Sequence, residues 1–293
     1  MFLSTICLNL CAENVPPKKY FFSVCALFKN EARYLKEWLE YHLLIGVDHF
    51  YLYDLGSNDH YMKVLRPYFE KKLVTLVHWQ DYCGEENEEK TYIWALGTQI
   101  PAYENAAKFR AAKETTWLAF LDIDEFLVAS KVHTFKEILA QYDAFPGVLL
   151  TCNYFDVDSK KYMLPRRRLL IETLELTKEP LRNIQKAVTK MLFKPDQCNG
   201  FLWPPYKFLF NEEQIATTAA KRELHINHYL NRKEGFLYAA EKTKLHIDNR
   251  ALSEEQMHEL LTLDYEIEDQ ERAIYRYIPE LLIRMGYDPT WGW

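Results

Sequence analysis

Between Phe21 and Trp79 the hydrophobic period of the chain changes four times. "FFSVCALFKN" (Phe21 to Asn30) is apolar almost throughout and rich in β-formers, the pattern of a strand buried on both faces. "NEARYLKEWLEYHLLIG" repeats apolar residues at helical spacing through Tyr34, Leu35, Trp38, Leu39 and Leu43, and Gly46 closes it as a C-terminal cap. "VDHFYLYD" is a second buried strand ending in Asp54. "LGSND" is a turn that leads into the helix "HYMKVLRPYFEKK", and "LVTLVHW" is a third strand. Strand, helix, strand, helix, strand in this order predicts a parallel sheet with right-handed crossovers. In such sheets ligands bind outside the carboxyl ends of the strands.

"WLAFLDIDEFLV" (Trp117 to Val128) reads as a fourth strand, preceded by a helix over "TQIPAYENAAKFRAAKE". It carries Asp122, Asp124 and Glu125 inside an apolar run. Clustered buried carboxylates are costly unless something neutralises them. On an extended strand Asp122 and Asp124 share a face, and two hard oxygen donors at the mouth of a sheet suit Mg2+ or Mn2+. Glu125 is expected to point to the face opposite Asp124 and to support the metal shell or the following turn. Asp54 stands at an earlier strand end, where it could accept the N3–H of a uracil ring. Asn30 and Glu31 end the first strand on the same rim, within reach of a base or ribose. Helix N-capping is the alternative for Asn30.

Further along come "GVLLTCNYFDVD", a strand, then Arg166 to Arg168, "KAVTKMLFKP" and "HINHY". His228 supplies an imidazole that could complete a divalent-metal site. Lys190 and Arg166 to Arg168 could meet a diphosphate. The last 45 or so residues look helical, with a capping box opening at Ser253.

The chain has 293 residues, 48% of them hydrophobic, enough for one large domain. A net charge of -6 argues against nucleic-acid binding. The six cysteines show no paired metal spacing and are expected to be reduced thiols. The apolar N-terminus lacks a basic n-region and falls far short of the ~20 residues of a membrane helix. A cytoplasmic protein is expected, and a peripheral membrane contact is compatible with it.

The blocks "KNEARYLKEWLEYHLLIGVDHFYLYDLGSND", "WLAFLDIDEFLV" and "INHYLNRKEGF", with the weaker "IPAYENAAKFR" and "KAVTKMLFKP", resemble glycosyltransferase family 92. The resemblance covers roughly residues 22 to 245. It implies an α/β GT-A nucleotide-sugar-binding fold with a central, mostly parallel sheet and a helical C-terminal tail. The expected division is an arm over 1–19, the glycosyltransferase domain over 20–245 and a helical extension over 246–293. The resemblance also implies an inverting hexosyltransferase that uses a UDP-sugar, galactose favoured, with Mn2+ (or Mg2+). Its acceptor would be a glycan, glycolipid or glycoprotein. Asp122 and Asp124 match the D-x-D metal motif, His228 the late metal-binding histidine and Asp54 the uracil-binding acid. Gln99 and Lys190 fall in family blocks as donor contacts, beside Asn30, Glu31 and Asp122. Asp156, Asp158 and Glu172, downstream of the metal strand, are the candidates for the general base. Where the family continues with a glycine after "NYF", this chain has "FDVD", which leaves the sugar open.

Three other readings compete. A D-x-D phosphatase would want Thr or Val where Phe126 stands. A nucleotidyltransferase would want a glycine-rich loop that "FKNEAR" lacks. A non-catalytic glycan- or protein-binding module would not need the intact acids.

Overall fold

The computed structural model describes residues 17–80, 94–129, 134–156, 169–172, 189–202, 207–210, 215–219, 223–230 and 271–286. The first five elements are those expected: β1 (Tyr20–Phe28), α1 (Ala32–Leu44), β2 (His49–Asp54), α2 (Tyr61–Glu70) and β3 (Val74–His78). Helix α1 ends where Gly46 takes a left-handed φ of +99°, and the Val47 N–H then returns to the His42 carbonyl at 2.9 Å.

A continuous helical run over 95–114, here α3, follows, with Ala95–Gln99 and Asn105–Ala111 wound as π-helix. Its alanines 102, 106, 107 and 111 are buried, so the helix lies close against the sheet. Then come β4 (Thr115–Phe120), β5 (Glu125–Ala129), α4 (Phe135–Ala140), β6 (Gly147–Asp156), β7 (Thr189–Phe193), β8 (Cys198–Leu202), β9 (Lys207–Phe210), β10 (Thr217–Thr218), β11 (Leu224–Leu230) and α5 (Ile278–Met285).

The main sheet runs β3-β2-β1-β4-β7-β6-β11-β5, with β10 beside β6. The β1–β2, β2–β3, β1–β4 and β6–β11 pairs are parallel. Strands β7 and β5 run against their neighbours. The expected α/β class with a mostly parallel sheet is therefore what the structure shows. Along β1, Phe22, Val24, Ala26 and Phe28 face α1 and α2, while Cys25 and Leu27 face the α3 side. Both faces are covered, which is why the strand reads as an unbroken apolar run.

One expectation fails in an instructive way. "WLAFLDIDEFLV" is not one strand. It breaks after Phe120, turns through residues 121–124 with the Glu125 N–H on the Asp122 carbonyl at 3.0 Å, and restarts as β5. In the pairing order β5 stands four places from β4. In a flat sheet that is about 19 Å, too far for a hydrogen-bonded turn, so the sheet curls until β5 returns beneath the end of β4. Helix α1 locks this closure. Trp38 Nε1 donates to the Glu125 carbonyl at 2.9 Å and the Tyr41 hydroxyl to that of Leu127 at 2.6 Å.

The C-terminal helix α5, preceded by a 3-10 turn over Glu271–Tyr277, packs on α1. Lys36 Nζ reaches the Met285 carbonyl at 3.2 Å, and Tyr277 meets Tyr41 edge to face. Cys25, Cys152 and Cys198 are buried free thiols, as expected. The N-terminal arm to Pro16, Asp158, Arg166 to Arg168 and the capping box at Ser253 lie outside the described residues.

Candidate active site

The break in the acidic run builds the site. Because residues 121–124 form a turn, Asp122, Asp124 and Glu125 do not alternate across a sheet but converge. Glu125 is 1% exposed and sits at the centre. Its Oε2 accepts the Asp122 N–H at 2.9 Å and lies 2.8 Å from Lys190 Nζ. Its Oε1 lies 3.5 Å from His228 Nδ1. The Lys190 ammonium also reaches Asp122 Oδ2 at 3.5 Å, and His228 Nε2 lies 3.4 Å from Asp124 Oδ1. The expectation that Glu125 points away from Asp124 is thus corrected: all three acids belong to one cluster.

Two strands deliver the partners. β7 inserts antiparallel between β4 and β6 and carries Lys190 opposite Leu150. β11 pairs with β5 so that His228 lies directly across from Glu125. The Tyr229 N–H donates to the Asp124 carbonyl at 2.9 Å and ties the turn to β11. Burial pushes the Glu125 carboxyl above its ordinary value, against the pull of Lys190. For His228 burial acts downward, but Asp124, Glu125 and Asp122 outweigh it and leave the imidazole raised.

Two ligand atoms on neighbouring positions of a divalent cation stand about 3 Å apart when each bond is about 2.1 Å. Asp124 Oδ1 and His228 Nε2 come close to that separation and offer an oxygen and a nitrogen donor. Among the described residues, no three His, Cys, Asp or Glu side chains are grouped tightly enough to form a ready-made metal site. The Asp122 carboxylate is turned toward Lys190.

The second part of the rim is the end of β1, β2 and β3. The register Phe28–Asp54–His78 sets three strand ends level, and the Leu121 N–H on the Cys25 carbonyl brings the acidic turn to the same edge. Asp54 ends β2, and Asp122 follows the end of β4 two strands away. Asp54 is buried, with Oδ1 accepting the Ser57 N–H at 2.8 Å and Oδ2 the Tyr61 hydroxyl at 2.9 Å. Asn30 takes a φ of +58° and does not cap α1. Its Oδ1 accepts the Asn58 N–H at 2.8 Å, and Asp59 from the next loop accepts the Ala32 N–H at 2.8 Å in the capping role. Glu31 precedes α1 without a side-chain cap bond.

Gln99 lies on α3 and donates to the Tyr103 hydroxyl at 3.3 Å, while Tyr103 stacks on Phe120 at 3.9 Å, two residues before Asp122. Asp156 closes β6 beside Leu230, two positions beyond His228 on the neighbouring strand. Glu172 ends a 3-10 turn whose Leu170 and Ile171 N–H groups donate to Glu37 of α1 at 2.8 and 3.1 Å. The side chains of Asp156 and Glu172, like Asp158 as a whole, lie outside the described part. The sequence reading missed the central place of Glu125. The signal was available in "TKMLF", because a lysine flanked by buried apolar residues needs a carboxylate partner.

A profile of glycosyltransferase family 92 matches residues 18–266. A family 92 protein of Oryza sativa subsp. japonica is 26% identical over 216 residues, covering 72% of this chain and 33% of the relative. One of Ricinus communis is 25% identical over 223 residues, with 75% and 33% covered. The chain thus spans about a third of the length of the curated relatives it matches. Similar solved structures include S. aureus TarS 1-349, at 15% identity and a TM-score of 0.35, covering 90% of this chain and 80% of that one. Another is glucosyl-3-phosphoglycerate synthase from Mycobacterium tuberculosis with Mn2+, UDP and glucosyl-3-phosphoglycerate, at 14% identity and a TM-score of 0.34, with 92% and 82% covered. Among the described residues no helix is long and apolar enough to cross a membrane. With its profile matching most of the chain, the protein belongs to glycosyltransferase family 92.

Proposed function

We propose that the chain carries the donor-binding and catalytic part of a glycosyltransferase. It would move a hexose, galactose favoured, from a UDP-sugar to a hydroxyl of a glycan, glycolipid or glycoprotein, with inversion at the anomeric carbon. The observation that carries this reading is the meeting of the acidic turn with His228 at the same sheet edge as the rim of β1, β2 and β3. One end of that edge suits a nucleoside, the other a diphosphate.

Asp124 and His228 are the residues that fit a divalent cation, Mn2+ or Mg2+, with Asp122 beside them. Such a cation, when bound, neutralises the charge of the departing diphosphate. The protein's own groups do the rest. Lys190 and Glu125 hold the turn: Glu125 grips the Asp122 N–H while Lys190 offsets the carboxylates. This makes Lys190 a support for Asp122 rather than a direct diphosphate contact. The acceptor oxygen attacks the anomeric carbon, the bond from that carbon to the phosphate oxygen breaks, and its electron pair leaves with UDP. The acceptor proton passes to a carboxylate on the far side of the sugar. Asp156 is favoured as that base over Asp158 and Glu172, since its backbone ends β6 next to the strand of His228.

The test is release of UDP from UDP-galactose, UDP-glucose and UDP-N-acetylhexosamines with Mn2+ or Mg2+ and a mixed glycan acceptor. UDP release that disappears in Asp124→Asn supports the reading. Release from none of these donors, under conditions where the protein is folded, overturns it.

A further inference from the structure

At the end of β3, beside the buried Asp54 of β2, His78 presents an exposed side chain among the described residues. Asp54 is 3% exposed and its oxygens are engaged by Ser57, Tyr61 and His78. His78, in register with Asp54 across the β2–β3 pair, is 72% exposed. Its Nδ1 lies 3.2 Å from Asp54 Oδ2. Burial pushes the Asp54 carboxyl upward, but the hydrogen bonds from Ser57, Tyr61 and His78 outweigh it and hold it below the usual range. An ionised carboxylate can only accept, so the Nδ1 position of the ring carries the proton. In the neutral ring Nε2, on the opposite side from Asp54, then bears a lone pair. The backbone beyond is fixed as well: the Trp79 N–H donates to the Asp54 carbonyl at 2.8 Å, and Trp79 Nε1 to the Thr98 carbonyl at 3.1 Å.

We propose that His78 reads the base of the donor, its Nε2 accepting the N3–H of uracil, with Asp54 acting as the positioning residue that sets the ring's tautomer. This rests on the reading of the donor as a uridine diphosphate sugar. It moves the base contact from the sequestered Asp54 to the side chain exposed at the rim. It also sets a selectivity. Cytosine carries an unprotonated, accepting N3, so two lone pairs would face each other and a CDP ligand would be disfavoured.

The experiment is calorimetric titration of UDP and of CDP, each with Mn2+, into the wild type, His78→Phe and His78→Gln in mildly alkaline buffer. Both substitutions fall on an exposed side chain, and equal melting temperatures confirm intact folds. His78→Phe keeps a planar ring without an acceptor. It is expected to weaken UDP by about 3- to 10-fold, the net worth of one hydrogen bond, and not to weaken CDP, which is relieved of the facing lone pair. His78→Gln, which restores an acceptor oxygen, is expected to recover much of the preference. An unchanged UDP affinity in His78→Phe overturns the assignment to His78 alone, as does an equal loss for UDP and CDP. A wild type that binds UDP and CDP equally overturns the base reading. A wild type that binds neither overturns the donor assignment as well.

Discussion

Replacing Lys190 by methionine isolates the interaction that makes the acidic turn possible. The lysine and glutamate side chains are 5% and 2% exposed and stand 2.8 Å apart. Methionine keeps the length of the stem and removes the charge, so Glu125 is left buried with the Asp122 N–H and His228. Breaking a buried pair from one side costs about 3–5 kcal/mol. An independent bound agrees. The cheapest relaxation for the stranded carboxyl is to take a proton, and from an ordinary value of 4.5 this costs about 3.4 kcal/mol at about pH 7. The melting temperature should fall by roughly 5–8 °C.

The sign of the pH dependence follows. With Lys190 gone, the folded-state value of Glu125 rises further above its unfolded value. The folded state is then favoured while Glu125 is protonated and loses stability as pH rises through the folded value. The deficit against the wild type should therefore be large at neutral pH and shrink as pH falls toward 4.5. Thermal melts of metal-free protein at several pH values read this directly. A Lys190→Met variant that melts with the wild type at neutral pH, or a deficit that does not change with pH, refutes the reasoning.

Other consequences can be checked by denaturation. In Gly147→Ala the new methyl group would stand 2.7 Å from Met191 Sδ and 2.9 Å from Phe210 Cζ, so urea midpoints should report a loss of about 1–3 kcal/mol. Thr134→Ala removes one half of the capping box that opens α4, and should cost about 1 kcal/mol with no change in ligand binding. Burial lowers His42 to about 3 and His225 to about 4, from 6.5. The unfolded chain takes up protons that these folded rings refuse, so their contribution is complete above 6.5 and is lost as pH falls toward 4 for His225 and toward 3 for His42. His42→Phe should flatten that acid limb in urea titrations, and an unchanged limb would show that His42 does not contribute to it.

What the sequence made legible was local or periodic. The run from β1 to β3 was readable because each strand is covered on both faces and each helix shows one apolar stripe. The acids set in an apolar run were readable as a cluster in need of neutralising partners, because buried carboxylates demand one. The break at 121–124 was not, because alternation is the same for one strand and for two strands joined by a short turn. That break reverses the direction assigned to Glu125. The Lys190–Glu125 pair joins residues 65 positions apart through an antiparallel strand inserted in a parallel sheet, so the setting of the lysine calls for a carboxylate partner without saying which one. Helix capping, the alternative to a ligand contact at Asn30, is not what the fold uses: the left-handed backbone at that position leaves Asp59 to cap α1 from the adjoining loop.

In the proposed function the acidic turn and His228 form the seat of a divalent cation that binds together with a nucleoside diphosphate. Linked titrations test it most directly, with Mn2+ titrated in the presence and absence of UDP, and UDP in the presence and absence of Mn2+. The expected result is reciprocal strengthening of each ligand by the other in the wild type, by the same factor in both directions, and its loss in Asp124→Asn and His228→Ala. UDP binding with equal affinity in the presence of EDTA, or undiminished coupling in both variants, would contradict the assignment.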